Sequence, residues 1–326
     1  MKPAKEETSR RVKEGFHLAG LIPVEAQPLD FNMPWSDALM PIGQNYLAVE
    51  RAVYECASAG CETIWIICSR ETTPIIRHRI GDWVYDPNIN VSVLRHTHDP
   101  SSRLKQIPIF YIPIHPKDKQ KRTGLAWSIL YGYNRAYQIS RMFSRWSTPG
   151  KYYVVFPHGI YPPSVVRKHR LKISSPTSFY TKSPDGKTAL DGELLSFSFD
   201  ITEAAMFKKN FRNEEQILFK SGMWKDGAFV GEKLPIEQRF TGRFVKLETL
   251  LQGANIVDEN TMTVKWYYDI SSWDKYCTFL ASPDRLRLKF PSSVLKYREF
   301  NPIGLDSLED ENLLHEEEFD MLDEIE

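Results

Sequence analysis

A helix followed by a wholly apolar strand constrains the fold of this chain more than any other feature of its sequence. Apolar residues recur with helical spacing over residues 45–60, and Gly60 has the position of a C-terminal cap. Residues 63–68 then read Thr-Ile-Trp-Ile-Ile-Cys. A strand that is apolar on both faces is typical of a parallel sheet covered by helices on both sides. With the apolar run of residues 21–24 before the helix, the pattern predicts a βαβ unit.

Later segments extend this pattern. We expect a charged helix or arm over residues 8–18, a proline-containing edge strand over 107–114, a helix over 124–142, and strands over 152–156, 194–199 and 261–268. Strands that alternate with helices predict an α/β protein, a three-layer sandwich with a mainly parallel mixed sheet. We divide the chain into an N-terminal arm (1–20), one domain (21–300) and an acidic tail (301–326).

Composition excludes several classes of protein. Charged residues make up 26% and aromatic residues 13% of the 326 residues, which is ordinary for a globular protein and excludes wholesale disorder. No apolar run approaches the length of a membrane span, and residues 1–7 carry charges of both signs, so we expect neither a membrane segment nor a secretory signal. The four cysteines form no CxxC pair, and we expect buried, reduced thiols in a cytoplasmic protein.

The net charge of zero conceals a division between body and tail. Residues 303–326 contain eleven Asp and Glu residues and no Lys or Arg, which leaves 42 basic and 31 acidic residues elsewhere, a net charge of +11. The tail also carries apolar residues such as Leu313 and Phe319. Such a segment folds on a basic protein partner, folds back on its own basic body, or only adds solubility. The sequence leaves these three alternatives open.

Several motifs in order resemble the sugar nucleotidyltransferases, the family that joins a nucleoside triphosphate to a sugar 1-phosphate. The resemblance covers about residues 21–281 and rests on Leu21-Ile-Pro-Val24, Met40-Pro-Ile42, Ala59-Gly60, His115-Pro116 with Thr123-Gly-Leu-Ala126, Lys182-Ser-Pro184, and Trp266-Tyr-Tyr-Asp-Ile270 with Trp273 and Tyr276. Each motif alone is weak evidence for the family, and the resemblance rests on their occurring in the same order as in the family. It implies a Rossmann-like nucleotidyltransferase fold.

The resemblance also implies a site at the carboxyl ends of the strands. By position, His115, Gly124, Leu125 and Ala126 match the segment that contacts the nucleotide base, and Lys182 matches the lysine that holds the sugar phosphate. The family binds Mg²⁺ through two aspartates. Asp269 matches the second of these and is the candidate metal ligand. His158 occupies the position of the first, and it is with Lys182 a candidate catalytic residue, as a metal ligand or as a base.

The segment that matches the phosphate loop departs from the family. Residues 24–31 read Val-Glu-Ala-Gln-Pro-Leu-Asp-Phe, with no Gly, Arg or Lys, and Asp37 replaces a lysine of the family. Acidic residues where a triphosphate should lie repel it, and two like charges about 4 Å apart at a partly exposed site cost about 4 kcal/mol. We therefore expect a nucleotidyltransferase-like protein whose activity is reduced or absent.

Other functions stay open beside this one. The alternative is a non-catalytic binding or structural module of the same fold whose acidic tail engages a basic protein partner. Binding of nucleic acid has support only from the basic body and from the cluster at residues 167–172, so we do not favour it. His96 and His98 have strand spacing, which permits a metal pair, but no third ligand lies nearby in the sequence.

Overall fold

The computed structural model describes residues 17–24, 36–87, 106–115, 118, 124–143, 148–214, 219–225, 228–233, 245–291 and 294–295. The expected arm at 8–16, most of the phosphate-loop segment, His96, His98 and the acidic tail lie outside the described residues. The division of the chain into arm, domain and tail therefore stays a prediction.

The described strands and helices alternate, as the sequence predicts. The strands are β1 (Leu18–Pro23), β2 (Pro41–Gly43), β3 (Tyr46–Leu47), β4 (Thr63–Cys68), β5 (Trp83–Tyr85), β6 (Gln106–Pro113), β7 (Lys151–Val154), β8 (Gly159–Ile160), β9 (Tyr180–Lys182), β10 (Phe197–Asp200), β11 (Phe219–Lys225), β12 (Ala228–Lys233), β13 (Thr261–Thr263) and β14 (Tyr268–Asp269). The α-helices are α1 (Ala48–Ala59), α2 (Thr73–Ile80), α3 (Leu125–Phe143), α4 (Arg170–Ile173), α5 (Ile201–Glu214), α6 (Leu247–Leu250) and α7 (Trp273–Ala281).

Eight strands form one mixed sheet in the order β13-β9-β10-β7-β1-β4-β6-β5. β1 pairs in parallel with β4 and β7, β4 with β6, and β9 with β13, whereas β5 and β10 are antiparallel to their neighbours. The predicted mainly parallel mixed sheet is confirmed.

Helices cover both faces of this sheet, which confirms the three-layer architecture. Side chains of β1 and β4 alternate between two apolar clusters, one shared with α1 and α2 and the other with α3, α5 and α6. Both strands are therefore buried on both sides, as their continuous apolar sequence predicts. A third cluster joins α7 to β2, β3, β8 and β14.

Three predictions of detail were wrong. The strand predicted at the sheet edge, β6, has a neighbour on each side, because the short β5 pairs with its first residues. The predicted strand 261–268 is two strands, since β13 pairs with β9 and β14 pairs with β8. The strand predicted over 194–199 begins only at Phe197.

The predicted burial of the cysteines holds for three of the four. Cys56, Cys61 and Cys68 are buried free thiols, but Cys277 is exposed. Cys277 lies on α7, which turns its neighbours Tyr276 and Phe279 toward the core and leaves Cys277 on the outer side. Among the described residues, none of the helices combines the length and the apolar character that crossing a membrane requires.

Candidate functional site

The parallel strands bring several of the predicted site segments to one edge of the sheet. Hydrogen bonds continue past the strand ends, from the backbone N–H of Val24 to Ile67 O (2.8 Å), of Ile114 to Cys68 O (2.8 Å) and of Val155 to Leu21 O (3.0 Å). The segments that follow these strands therefore start side by side. In open α/β sheets, ligands bind at this carboxyl edge.

His158 lies in the segment that leaves β7, at the position where the resemblance implies an aspartate. Its carbonyl oxygen accepts a hydrogen bond from the Ile270 N–H at 2.9 Å, and β8 pairs with β14 directly beside it. The side chain is only 8% exposed, and burial lowers the pKa of His158 to about 4, although the nearby Asp269 carboxylate raises it. The imidazole is therefore neutral at pH 7, and its Nε2 has no hydrogen-bond partner among the described residues.

A close backbone contact fixes the turn after His158. A Cβ atom on Gly159 would lie 1.8 Å from the carbonyl oxygen of Leu194, so no larger residue fits while the two backbone segments keep this distance. Gly159 therefore allows the His158 segment to pack against residues before β10. This holds the imidazole in its buried position.

Asp269 lies beside His158, and its carboxylate is already engaged. Oδ1 accepts the Ser271 N–H at 2.9 Å, and Oδ2 accepts the Ser271 hydroxyl at 2.8 Å and the Lys275 ammonium group at 2.5 Å. The Lys275 charge neutralises the carboxylate locally. The structure thus brings His158 and Asp269 together, but as a neutral imidazole and a neutralised carboxylate.

These two residues do not make a Mg²⁺ site of the kind that the resemblance implies. Mg²⁺ prefers oxygen ligands, and carboxylates in particular. Asp269 supplies one carboxylate, which is hydrogen-bonded on both oxygens, and His158 supplies none. In the part of the chain that the structure describes, no three His, Cys, Asp or Glu side chains are arranged to hold a metal ion.

Lys182 lies apart from this pair, at the end of β9. Two strand spacings, about 10 Å, separate β9 from β7 because β10 lies between them. The Lys182 ammonium group binds Asp258 Oδ1 at 2.8 Å, and this hydrogen bond and charge hold the pKa of the Asp258 carboxyl below its usual value. Asp258 is an exposed partner, with 91% of its side chain accessible.

The four residues matched to base binding lie in two different environments. His115 is exposed and follows β6, and its carbonyl oxygen accepts the Asp118 N–H at 2.8 Å. Gly124 immediately precedes α3. The side chains of Leu125 and Ala126 are buried in the core with Trp65, so they stabilise the packing of α3 and are not available to contact a base.

A buried polar network under the site was missed by the sequence analysis. Arg51 Nη1 donates to Glu55 Oε2 at 2.7 Å, and both side chains are fully buried. Glu55 Oε1 accepts the hydroxyls of Tyr153 at 2.8 Å and of Tyr161 at 2.5 Å, and Ser196 Oγ contacts both tyrosines. Opposite charges one turn apart, Arg51 and Glu55, in a helix with few other polar residues were the available signal.

This network supports the site directly. Arg51 Nη2 donates to the carbonyl oxygen of Phe156 at 2.6 Å, two residues before His158. Ser196 Oγ lies 2.8 Å from the hydroxyl of Thr181, which precedes Lys182. The network therefore connects α1 to the ends of β7 and β9, and positions the backbone on which His158 and Lys182 stand.

Comparison with known proteins supports the fold. No protein-family model matches the chain, and no curated protein sequence matches it. A solved structure assigned as a glucose-1-phosphate thymidylyltransferase of Bacillus anthracis, in complex with sucrose, is similar with a TM-score of 0.51 and 10% identity, over 85% of this chain and 98% of that chain.

Two further solved structures have lower scores, which carry no argument by themselves. An apo UDP-glucose pyrophosphorylase matches with a TM-score of 0.39 and 15% identity, over 83% of this chain and 100% of that chain. A 4-diphosphocytidyl-2C-methyl-D-erythritol synthase of Anaerococcus prevotii matches with a TM-score of 0.45 and 9% identity, over 82% and 96%. Strand order, layers and the thymidylyltransferase match lead to one conclusion: the chain has a sugar-nucleotidyltransferase-like fold.

Proposed function

We propose that this chain is a nucleotidyltransferase-like protein in which transfer of a nucleotide to a sugar 1-phosphate is reduced or absent. The observation that carries the proposal is the pair His158 and Asp269. A buried neutral imidazole stands where the resemblance implies one Mg²⁺ ligand, and Lys275 neutralises the other. Both reactants are polyanions, so the reaction depends on charge neutralisation at the transferred phosphate.

The expected loss of rate is large. Removal of one well-placed group that stabilises the transition state typically costs about 10²–10³ in kcat, and the position of His158 has lost such a group. The half-exposed ion pair between Lys275 and Asp269 adds a smaller loss, up to about fivefold. The acidic residues in the segment 24–31 support the same conclusion. The fold persists without this chemistry because packing of the sheet and helices does not require the catalytic charges.

Binding of a nucleotide or a sugar phosphate is retained in this proposal. Lys182 and the backbone at Gly124 are the groups that would hold it, together with His115. Asp269 is the carboxylate at this place that would hold a Mg²⁺ ion accompanying the nucleotide, and Lys275 engages it in the free chain. The three buried free thiols support a reducing compartment, and we propose the cytoplasm.

The test is ³¹P NMR of the purified chain with Mg²⁺, each nucleoside triphosphate and a panel of sugar 1-phosphates. We expect line broadening of a nucleotide without release of pyrophosphate. The variant His158→Asp places a second carboxylate beside Asp269, and we expect it to gain turnover if any single variant does. Asp274→Asn, a charge removal on the exposed side of α7, is the matched control for Asp269→Asn.

Two outcomes would contradict the proposal in different ways. Formation of a sugar nucleotide by the natural chain, lost in Asp269→Asn but not in Asp274→Asn, would show that standard catalysis survives. No broadening of any nucleotide or sugar phosphate would show that the strand ends bind neither reactant.

The second candidate is a non-catalytic module whose acidic tail engages a basic protein partner. The charge of residues 303–326 favours it. If this candidate is correct, the full chain cross-links to a defined basic protein, and the cross-linking weakens with added salt. A chain that ends at residue 302 should not cross-link. Equal cross-linking of the two chains would exclude the tail as the binding segment. The same truncated chain tests nucleic-acid binding, which should gain affinity if the tail shields the basic body.

A further inference from the structure

A groove lies between helices α3 and α5, on the face of the sheet opposite α1. Its volume is about 650 Å³. Its lining includes three aromatic and three basic side chains, Trp127, Tyr131, Phe211, Arg135, Lys208 and Arg212. Phe211 and Tyr131 are buried and form the floor, whereas Arg135 and Arg212 are exposed at the rim. A volume between about 300 and 1,000 Å³ is typical of small-molecule sites.

Positive charge is concentrated on the rim. Lys208 and Arg212 are one helical turn apart on α5, where like charges repel. Burial lowers the pKa of Lys208, and the Arg212 charge lowers it further. Arg135 adds a third cation from α3, and Asp118 is the carboxylate among the described residues that line the groove. An anion in the groove would relieve this repulsion.

Aromatic rings lie side by side in the groove. The Trp127 ring lies 5.8 Å from that of Tyr131 and 5.7 Å from that of Phe211, so the three rings are contiguous. Tyr131 and Phe211 are buried, so the half-buried Trp127 presents the accessible ring. The Arg135 guanidinium stands over the Tyr131 ring at 5.3 Å. An accessible ring beside cations suits a ligand with both a ring and a negative charge.

Most of the groove lies away from the strand ends, although Asp118, whose N–H donates to the His115 carbonyl oxygen, belongs to its lining. Arg135 is eleven residues after Gly124 on the sequence, which corresponds to about 16 Å along a helix. The two places are nevertheless connected, because the Tyr131 hydroxyl donates to the carbonyl oxygen of Pro113 at 3.2 Å, two residues before His115. A ligand that contacts Tyr131 therefore adjoins the backbone that carries His115.

We propose that the groove between α3 and α5 is a second binding site, for a nucleoside phosphate. The phosphates contact Lys208, Arg212 and Arg135, and the base packs on the half-buried Trp127 ring. The ligand is bound without covalent change. Its chemistry follows from the groove alone, so the site does not depend on whether the strand ends retain a substrate.

Photo-cross-linking with 8-azido-ATP and isothermal titration calorimetry with ATP test this site in the full chain. The variant Lys208→Gln/Arg212→Gln removes two rim charges from exposed or half-buried positions, so folding should be retained. The matched control is Lys209→Gln/Arg141→Gln, which removes two exposed charges of the same helices outside the groove. A third variant, Asp269→Asn, tests whether a change at the strand ends affects binding in the groove.

We expect cross-links in peptides from 125–143 and 201–214. In the groove, the rim variant should bind ATP about 100-fold more weakly, about tenfold for each charge-assisted hydrogen bond that the substitutions remove. The Lys209→Gln/Arg141→Gln control should bind normally, and Asp269→Asn should leave the cross-links of these two peptides unchanged. Cross-links only near 156–160, or equal affinity of the rim and control variants, would overturn the proposal. Inorganic triphosphate binding as tightly as ATP would overturn the role of the Trp127 ring. Failure of ATP to bind while a peptide of residues 303–326 does would assign the groove to an acidic segment instead.

Discussion

The buried ion pair between Arg51 and Glu55 makes the clearest quantitative prediction. In Arg51→Met, a side chain of similar length fills the space, but Glu55 keeps its carboxylate in a fully buried place without a cation. The hydroxyls of Tyr153 and Tyr161 still donate to it, while the carbonyl oxygen of Phe156 loses its donor. The variant should therefore be destabilised mainly through the unpaired charge of Glu55.

The size of this penalty can be bounded. Removal of one partner from a buried ion pair typically costs about 3–5 kcal/mol.

Urea unfolding at pH 7 measures this. We expect a loss of about 4 kcal/mol in the free energy of unfolding for Arg51→Met. The double variant Arg51→Met/Glu55→Leu carries no buried charge and should be more stable than the single variant. Arg77→Met is the control, since its ion pair with Asp82 is exposed and worth at most about 1 kcal/mol.

Two results would refute this reasoning. A loss no larger than that of Arg77→Met would mean that water reaches Glu55 after the change. A double variant less stable than Arg51→Met would mean that the carboxylate is stabilised by the tyrosine hydroxyls alone, without need of the arginine.

Three further predictions concern the site. Gly159→Ala places a methyl group 1.8 Å from a backbone carbonyl oxygen and should lower the free energy of unfolding, measured in urea, by at least about 3 kcal/mol. The control Gly186→Ala has no atom within 4 Å of the added methyl group and should cost only the strain of its left-handed backbone, about 1 kcal/mol. Burial lowers the pKa of His158 to about 4, so as the pH falls the unfolded state takes up a proton before the folded state does. About 3 kcal/mol of stability should therefore be lost between pH 6.5 and pH 4, and His158→Gln should not show this loss. An unchanged slope of stability against pH in that variant would assign the loss to other groups. Lys275→Met frees the carboxylate of Asp269 and should strengthen Mn²⁺ binding by up to about fivefold, as measured by electron paramagnetic resonance. The same gain in Lys275→Met/Asp269→Asn would show that Asp269 is not the ligand.

The elements that the sequence predicted well are those specified by their own residues. Helix α1 ends at Ala59 with Gly60 in the left-handed conformation at φ 89°, where a glycine is favoured. Strand β4 has the predicted bounds because five consecutive apolar or small residues are buried in it. The strand predicted over 261–268 fails because strand length depends on neighbours, and the chain leaves β9 for β8 between its two halves.

The candidate site shows the same division. The order of the motifs identified His158 and Asp269 as candidates, because residues at the ends of strands, or just after them, can be recognised from the sequence. Their chemical states could not be read in that way. His158 is neutral because the fold buries it, and Asp269 is neutralised because α7 brings Lys275 to it.

The sequence by itself determined the class of the fold, through apolar runs that alternate with amphipathic helices and so require a sheet covered on both faces. It also determined the charge division between body and tail. Only the tertiary structure decided which charges compensate each other: Arg51 reaches Phe156 across 105 positions of sequence, and Tyr161 reaches Glu55 across 106. Burial and charge pairing depend on distances in space, and packing sets those distances only after the chain has closed its long-range contacts.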